Sequence, residues 1–272
     1  MARETQQTTT IDGRRFAWRA LGGGAPLLLV NGYAASSADW DPTLLASLAG
    51  SFSLICPDNR GTGASELGDA DALTVDAMAD DLERLLDVLE LERTPLAGWS
   101  MGGYVAQRLA LRAPTRVESL TLLASAPAGT SGVQGEPAAR RALVDHSGTP
   151  REQASRLISL LFPSDVAVRI DSEFGEVVAA ARAALLPQTL AAQERVLAEW
   201  HAQAQSPPGA DAPPVLAICG GEDVVLPPAN GDALAAFWPG ARVELIAGGG
   251  HAFMAQEPER VARLICSFVR EH

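Results

Sequence analysis

A serine between glycines is the strongest candidate for chemistry in this chain. Residues 98–103 read GWSMGG and fit the pattern G-x-S-x-G, in which a serine stands at a tight turn from a strand into a helix. The apolar run Pro95–Gly98 precedes Ser100, and the helical pattern Val105–Arg112 follows it. Small neighbours let the two backbone segments approach closely while the strained turn presents the hydroxyl group. We therefore predict that Ser100 is a nucleophile.

A serine hydroxyl is a poor nucleophile until a base takes its proton, so the histidines matter next. The chain has four of them. His251 follows three consecutive glycines and the predicted strand Val243–Ala247, so its loop can reach the serine from the carboxyl edge of a sheet. His272 is the last residue, and His146 and His201 have polar neighbours in a helical region, where we expect exposed side chains. His251 is the predicted general base.

The histidine needs a carboxylate that fixes its tautomer and stabilises the imidazolium ion. Glu222 and Asp223 both follow the predicted strand Pro214–Cys219, and either carboxylate could pair with His251. We prefer Asp223 as the acid. The resulting order of serine, aspartate and histidine along the chain is that of one triad class and differs from the two protease orders.

An oxyanion hole requires backbone N–H groups aimed at the developing negative charge. The amide of Met101 stands at the N-terminus of the predicted helix, and the amide of Tyr33 lies in the loop after the predicted strand Pro26–Val30. We predict these two amides as the donors.

Several apolar and aromatic side chains are close to these positions in sequence or lie in the helical region. They are predicted to bind substrate, with core packing as the alternative. The residues are Trp99, Phe253, Met254, Leu157, Leu161 and Phe162.

The elements that would position these residues alternate along most of the chain. Short apolar runs bounded by turn residues are typical of parallel strands covered on both faces. These runs are Pro26–Val30, Phe52–Cys56, Pro95–Gly98, Val117–Leu123, Pro214–Cys219 and Val243–Ala247, preceded by a hairpin of Thr8–Ile11 and Arg14–Ala20. Helical patterns occupy Val75–Leu91, Val105–Arg112, Asn230–Phe237 and Pro258–Arg270. We predict an α/β fold with a mostly parallel central sheet flanked by helices.

The alternation stops between residues 127 and 213. Helical segments such as Pro150–Leu161 and Pro187–Gln203 continue there, but no strand pattern separates them. We predict a core domain of residues 1–126 and 214–272 and a helical cap of residues 127–213. The cap is either a lid over the site or an insertion that only packs against the core.

The composition excludes some partners. The formal net charge is −12, and every basic residue is arginine. An acidic surface repels nucleic acids and anionic membranes, so we expect a small-molecule substrate and neither of those partners.

Cys56, Cys219 and Cys266 form no CxxC pair, and no metal or cofactor site is indicated. We expect a cytoplasmic protein because the start of the chain has no secretory signal and no apolar run could span a bilayer. The oligomeric state is not indicated.

Four sequence blocks together carry a family resemblance. They are VNGYAASSADW (30–40), PDNRGTGAS (57–65), GWSMGGYVAQRLA (98–110), and the pair GGEDVVLPP (220–228) with GGGHAFMAQEPERV (248–261). The chain resembles the α/β-hydrolase family, particularly its lid-bearing serine esterase, enol-lactonase and non-metal haloperoxidase branch. The resemblance implies the fold and the triad, and its G-x-D-x-x-x-P pattern implies Asp223 as the acid. Many relatives have His-Gly where this chain has Asn31-Gly32 in the predicted oxyanion loop. The resemblance therefore does not say which side-chain hydrogen bonds hold that loop.

The resemblance also narrows the reaction. Relatives that open halides or epoxides use an aspartate at the elbow, and related hydroxynitrile lyases use a lysine, which this chain lacks. We predict hydrolysis of a small to medium, moderately apolar ester, thioester or lactone through an acyl-enzyme. C–C bond hydrolysis and peracid formation use the same triad and are alternative reactions. A non-hydrolytic biosynthetic step and a ligand-binding role also stay open.

Overall fold

An eight-stranded sheet forms the centre of the structure, a computed structural model that describes residues 5–272. The strands are β1 (Thr5–Ile11), β2 (Arg14–Gly22), β3 (Ala25–Val30), β4 (Phe52–Pro57), β5 (Thr94–Trp99), β6 (Val117–Leu123), β7 (Val215–Gly220) and β8 (Arg242–Ile246). Their spatial order is β1-β2-β4-β3-β5-β6-β7-β8. The pairs β1–β2 and β2–β4 are antiparallel, and β3 to β8 pair in parallel. The carboxyl ends of the parallel strands therefore meet at one edge of the sheet.

Helices follow most of the strands. They are α1 (Pro42–Ala49), α2 (Val75–Val88), α3 (Met101–Arg112), α4 (Pro137–Leu143), α5 (Pro150–Leu161), α6 (Ser164–Ala183), α7 (Pro187–Ala202), α8 (Asn230–Phe237), α9 (Phe253–Gln256) and α10 (Pro258–Glu271). Local signals start several of them. The Thr74 side chain caps α2 by accepting from the Ala77 amide, and Thr149 and Glu152 form a capping box on α5. A cap of this kind contributes about 1 kcal/mol to helix stability.

The strands are apolar on both sides because helices cover both faces of the sheet. Leu28 and Val30 of β3 belong to a core cluster that also includes side chains of α2, α3 and α8. Leu27 and Leu29 of the same strand belong to a second cluster with side chains of α1, α9 and α10. Alternate residues of one strand thus pack against different helix layers. The predicted fold class is confirmed.

The chain between β6 and β7 contains α4, α5, α6 and α7 and no strand. We call these four the cap helices. Helices α5 and α6 pack against each other, while Ala192, Val196 and Trp200 of α7 are buried in the core cluster that contains α2 and α3. The division into a core and a cap stays a prediction, and residues 1–4 of the predicted core lie outside the described residues.

None of the helices in residues 5–272 combines the length and the hydrophobicity that crossing a membrane requires.

Candidate active site

Ser100 stands at the junction of β5 and α3 in a strained backbone conformation. Its φ is 53° and its ψ is −119°, a region that non-glycine residues rarely occupy. A Cβ atom built on Gly98 would overlap the backbone of Gly102, and one built on Gly102 would overlap the carbonyl oxygen of Val30. The strand, the helix and the loop after β3 approach this closely only because these positions carry no side chain.

The close approach at Gly102 gives a stability prediction. In Gly102→Ala the new methyl group must displace the backbone at Val30 and Asn31. We expect the free energy of unfolding to fall by about 1–3 kcal/mol, as overpacking typically costs. Thermal unfolding measures the change. Gly209→Ala is the matched control because a Cβ there meets no atom within 4 Å. Equal melting temperatures for the two variants would contradict the steric argument.

Ser100, His251 and Asp223 form a continuous chain of hydrogen bonds. His251 Nε2 lies 2.9 Å from Ser100 Oγ, and His251 Nδ1 lies 2.8 Å from Asp223 Oδ2. The side chains of His251 and Asp223 are 3 % and 0 % exposed. The other Asp223 oxygen, Oδ1, accepts from the amides of Val225 and Leu226 at 2.8 and 2.9 Å. Both carboxylate oxygens are therefore satisfied without water, and the imidazole ring is fixed at both nitrogens.

The turns after β7 and β8 bring the histidine and the carboxylate together. The Glu222 amide donates to the Gly249 carbonyl oxygen at 2.8 Å, and a Cβ on Gly220 would overlap the backbone at Gly250. Within this pair of turns, Asp223 is buried and faces His251, whereas Glu222 is exposed. The geometry thus favours Asp223 over its neighbour.

Trp99 holds the histidine loop from the nucleophile side. Its Nε1 donates to the carbonyl oxygen of His251 at 2.9 Å, and the two ring centroids are 5.6 Å apart. A residue that precedes the serine thereby fixes the backbone of the base.

The predicted oxyanion amides lie on segments that approach the serine closely. A Cβ on Gly32 would lie 3.3 Å from Ser100 Cβ, which places the loop after β3 against the start of α3. Within residues 5–272, the amides of Tyr33 and Met101 donate to no protein acceptor. Two free N–H groups beside the serine suit an oxyanion.

Asn31 holds this loop in the position where many relatives have histidine. Its Oδ1 accepts from the Gly32 amide at 2.9 Å, and its Nδ2 donates to the Ser36 carbonyl oxygen. Its own carbonyl oxygen accepts from Asn59 Nδ2 at 2.9 Å. The loop is therefore fixed through a fully buried asparagine.

Asp58 braces the same loop from the segment after β4. Its Oδ1 accepts from the Ser37 amide at 2.7 Å, and its Oδ2 accepts from the Ala64 amide at 2.9 Å. The block at residues 57–65 therefore supports the loop that carries Tyr33. Sequence reasoning assigned Asp58 and Asn59 no role, although the block itself pointed to them.

The other predicted substrate-binding residues lie in different surroundings. Phe162 lines a groove of about 680 Å³ whose other walls include Val168, Asp223 and Val224. Leu161 contacts the histidine loop, since its carbonyl oxygen accepts from the Ala252 amide at 3.0 Å. Leu157 is half-buried on α5.

Phe253 and Met254 are buried in the core cluster with α1 and α10, which is the packing role left open for them. Contact of any of these residues with substrate stays a prediction.

The expectation of an exposed side chain is wrong for His201, which is largely buried, whereas the His146 side chain is 34 % exposed. His146 Nε2 lies 2.6 Å from Glu194 Oε1. His201 Nε2 lies 3.2 Å from the hydroxyl of Tyr104, and burial, helped by the positive charge of Arg140, lowers the pKa of His201 to about 4. His201 is therefore neutral at pH 7.

Glu194 also accepts a hydrogen bond from the Tyr33 hydroxyl at 2.9 Å. Burial, and next the negative charge of Glu194, raise the pKa of Tyr33 above its usual value. Tyr33 therefore stays protonated and links the oxyanion loop to α7.

Comparison with known proteins fits this architecture. A protein-family model described as alpha/beta hydrolase fold matches residues 25–258. The chain belongs to the α/β-hydrolase family. This hydrolase family is the one that the four sequence blocks indicate, so the resemblance is confirmed.

Individual relatives of this family member extend over nearly its whole length. An uncharacterized protein of Mycobacterium tuberculosis is 31% identical over 290 residues, which is 99% of this chain and 82% of the relative. A pimeloyl-[acyl-carrier protein] methyl ester esterase of Nitrosomonas europaea is 30% identical over 254 residues, 88% of this chain and 93% of that protein. The crystal structure of a hydrolase from Pseudomonas aeruginosa superposes with a TM-score of 0.81 at 28% identity, covering 98% of each chain.

Among residues 5–272 of this α/β-hydrolase, no group of three or more histidine, cysteine or acidic side chains is arranged to hold a metal ion.

Proposed function

We propose that this α/β-hydrolase cleaves a small to medium, moderately apolar ester, thioester or lactone through an acyl-enzyme on Ser100. The observation that carries the proposal is the hydrogen-bonded chain from Ser100 Oγ through His251 to Asp223. The same three residue types in this arrangement convert a serine hydroxyl into a nucleophile on several unrelated folds.

The first half of the reaction acylates the serine. Ser100 Oγ attacks the substrate carbonyl carbon while His251 Nε2 takes the hydroxyl proton. The carbonyl oxygen becomes an oxyanion held by the Tyr33 and Met101 amides. As the intermediate collapses, the bond to the leaving group breaks, and His251 gives its proton to that group. Asp223 stabilises the imidazolium ion in between.

The second half returns the enzyme to its starting state. His251 takes a proton from a water molecule, whose oxygen attacks the acyl carbon. Collapse of the second tetrahedral intermediate releases the carboxylic acid, and the serine regains its proton from His251. The proposed steps use only these residues and water.

One further observation supports an ester-type substrate. A relative, at 30% identity, is named as a methyl ester esterase.

A panel of p-nitrophenyl esters with acyl chains from acetate to laurate tests the proposal. We expect sustained hydrolysis, fastest with the short and medium chains. Rapid quenching should trap one acyl group per chain on the tryptic peptide Thr94–Arg108, which contains Ser100 as its one serine. Sustained hydrolysis without acylation of this peptide would contradict the covalent mechanism. A burst of one product equivalent without further turnover would instead indicate a ligand-binding role.

A further inference from the structure

The loop after β3 contains a second strained residue, directly after Tyr33. Ala34 has a φ of 57°, in the left-handed region that favours glycine. An alanine is held there only when surrounding contacts over-determine its backbone. The contact that holds Ala34 comes from the cap helices.

Gln193 of α7 provides this contact. Its Oε1 accepts from the Ala34 amide at 2.8 Å, and its Nε2 donates to the Arg60 carbonyl oxygen at 3.3 Å. Gln193 is fully buried. Arg60 is itself anchored, because its guanidinium pairs with Asp81 of α2. The side-chain amide of Gln193 therefore joins the oxyanion loop to a fixed part of the core.

The Tyr33 amide lies between two peptide groups that side chains hold in place. On one side, Asn31 Oδ1 accepts from the Gly32 amide at 2.9 Å. On the other side, Gln193 Oε1 accepts from the Ala34 amide. The N–H between them is left without a protein acceptor in the described residues. This arrangement fixes the direction of a free donor, as oxyanion stabilisation requires.

We propose that Gln193 is a positioning residue for the oxyanion hole, so that a cap helix takes part in stabilising the transition state. The inference rests on the proposed function, since it assigns a task to the Tyr33 amide. Gln193 touches neither the substrate nor the reacting atoms. It acts through the backbone of Ala34.

Gln193→Leu removes both hydrogen bonds while nearly keeping the side-chain volume. We expect kcat for a p-nitrophenyl ester to fall about 10- to 100-fold with KM changed less than about threefold, because a misdirected donor weakens the transition state and not ground-state binding. Gln153→Leu is the matched control. It removes two side-chain to backbone bonds elsewhere in the cap, to His146 and Gly148, and should retain the wild-type kcat.

Gln193→Glu separates positioning from packing. The glutamate keeps an acceptor for the Ala34 amide but introduces a buried carboxylate. A positioning role predicts a higher kcat for Gln193→Glu than for Gln193→Leu. A packing role predicts the opposite order, because a buried unpaired charge costs more than a leucine.

Hydrogen exchange of the segment 31–36 tests the structural half in the free protein, independently of any substrate. We expect exchange to quicken in Gln193→Leu and to stay at the wild-type rate in Gln153→Leu. Unchanged exchange, or faster exchange with an unchanged kcat, would overturn the positioning role while leaving the proposed function standing. Absence of ester hydrolysis in the wild type would overturn the proposed function, and the exchange result would show separately whether Gln193 holds the loop.

Discussion

Replacing Ser100 with alanine is expected to lower kcat for p-nitrophenyl esters by about 10⁴- to 10⁶-fold. Removing the hydroxyl abolishes the acyl-enzyme and leaves only the oxyanion donors and general binding to assist attack by water. The substitution removes only the hydroxyl oxygen, which lies 2.9 Å from His251 Nε2, and leaves the backbone and Cβ in place. The variant should therefore fold, and its melting temperature should stay close to that of the wild type.

Ser131→Ala is the matched control for this serine. Its hydroxyl donates to the Ala128 carbonyl oxygen at 2.8 Å in a short turn that precedes the cap helices. We expect the wild-type kcat in this variant. Titration with a phosphonate that reacts with the active-site serine checks the samples. It should label the wild type stoichiometrically and should not label Ser100→Ala. Wild-type turnover in Ser100→Ala would show that another group carries the reaction.

The parts of the site that sequence could predict share one physical property. Each predicted catalytic residue follows a strand pattern directly or across a few glycines, as Asp223 follows β7 and His251 follows β8. In a parallel sheet the carboxyl ends of the strands meet at one edge, so residues far apart in sequence converge there without any further assumption. This geometry brought Ser100, His251 and Asp223 within hydrogen-bond distance in the structure.

The supporting residues lack such a signal. Gln193 and the Ala34 amide it holds are 159 positions apart, and nothing in the pattern of α7 distinguishes this glutamine from exposed ones. The burial of His201 arises in the same way. Its neighbour Trp200 stacks on Tyr104 of α3 with ring centroids 4.9 Å apart, and this contact carries His201 onto the core. Tertiary packing between distant helices decided both positions, so local composition predicted the exposure of His201 wrongly and gave no signal for Gln193.

Two predictions about helices were wrong because local sequence preference was misleading. The predicted start of α3 at Val105 comes four residues after its real start at Met101, because Gly102 and Gly103 have low helix propensity. Close packing against the neighbouring strands overrides that preference. Sequence reasoning also missed α6, whose exposed face carries apolar residues such as Val177, which is 66 % exposed. Apolar side chains on the solvent side blur the periodicity that identifies an amphipathic helix.

A second large effect is expected from the carboxylate behind the histidine. Asp223→Asn keeps the shape of the side chain and the oxygen that accepts from the amides of Val225 and Leu226. Its NH₂ group would then take the place of Oδ2 and donate to His251 Nδ1. Nδ1 can accept this hydrogen bond only in the tautomer in which it carries no proton. The proton must move to Nε2, the nitrogen that faces Ser100 Oγ, so the imidazole cannot take the serine proton. We expect kcat to fall by about 10⁴-fold.

The adjacent residue supplies the comparison that makes this prediction specific. Glu222→Gln changes the same functional group one position away, but Glu222 is exposed and only its backbone amide bonds to the histidine loop. We expect its kcat to stay within about twofold of the wild type, as exposed substitutions rarely perturb a protein. Both variants should be assayed with one p-nitrophenyl ester alongside their melting temperatures. A larger loss of kcat in Glu222→Gln than in Asp223→Asn would show that Glu222, and not Asp223, is the acid. Equal small losses would show that His251 needs no acid partner.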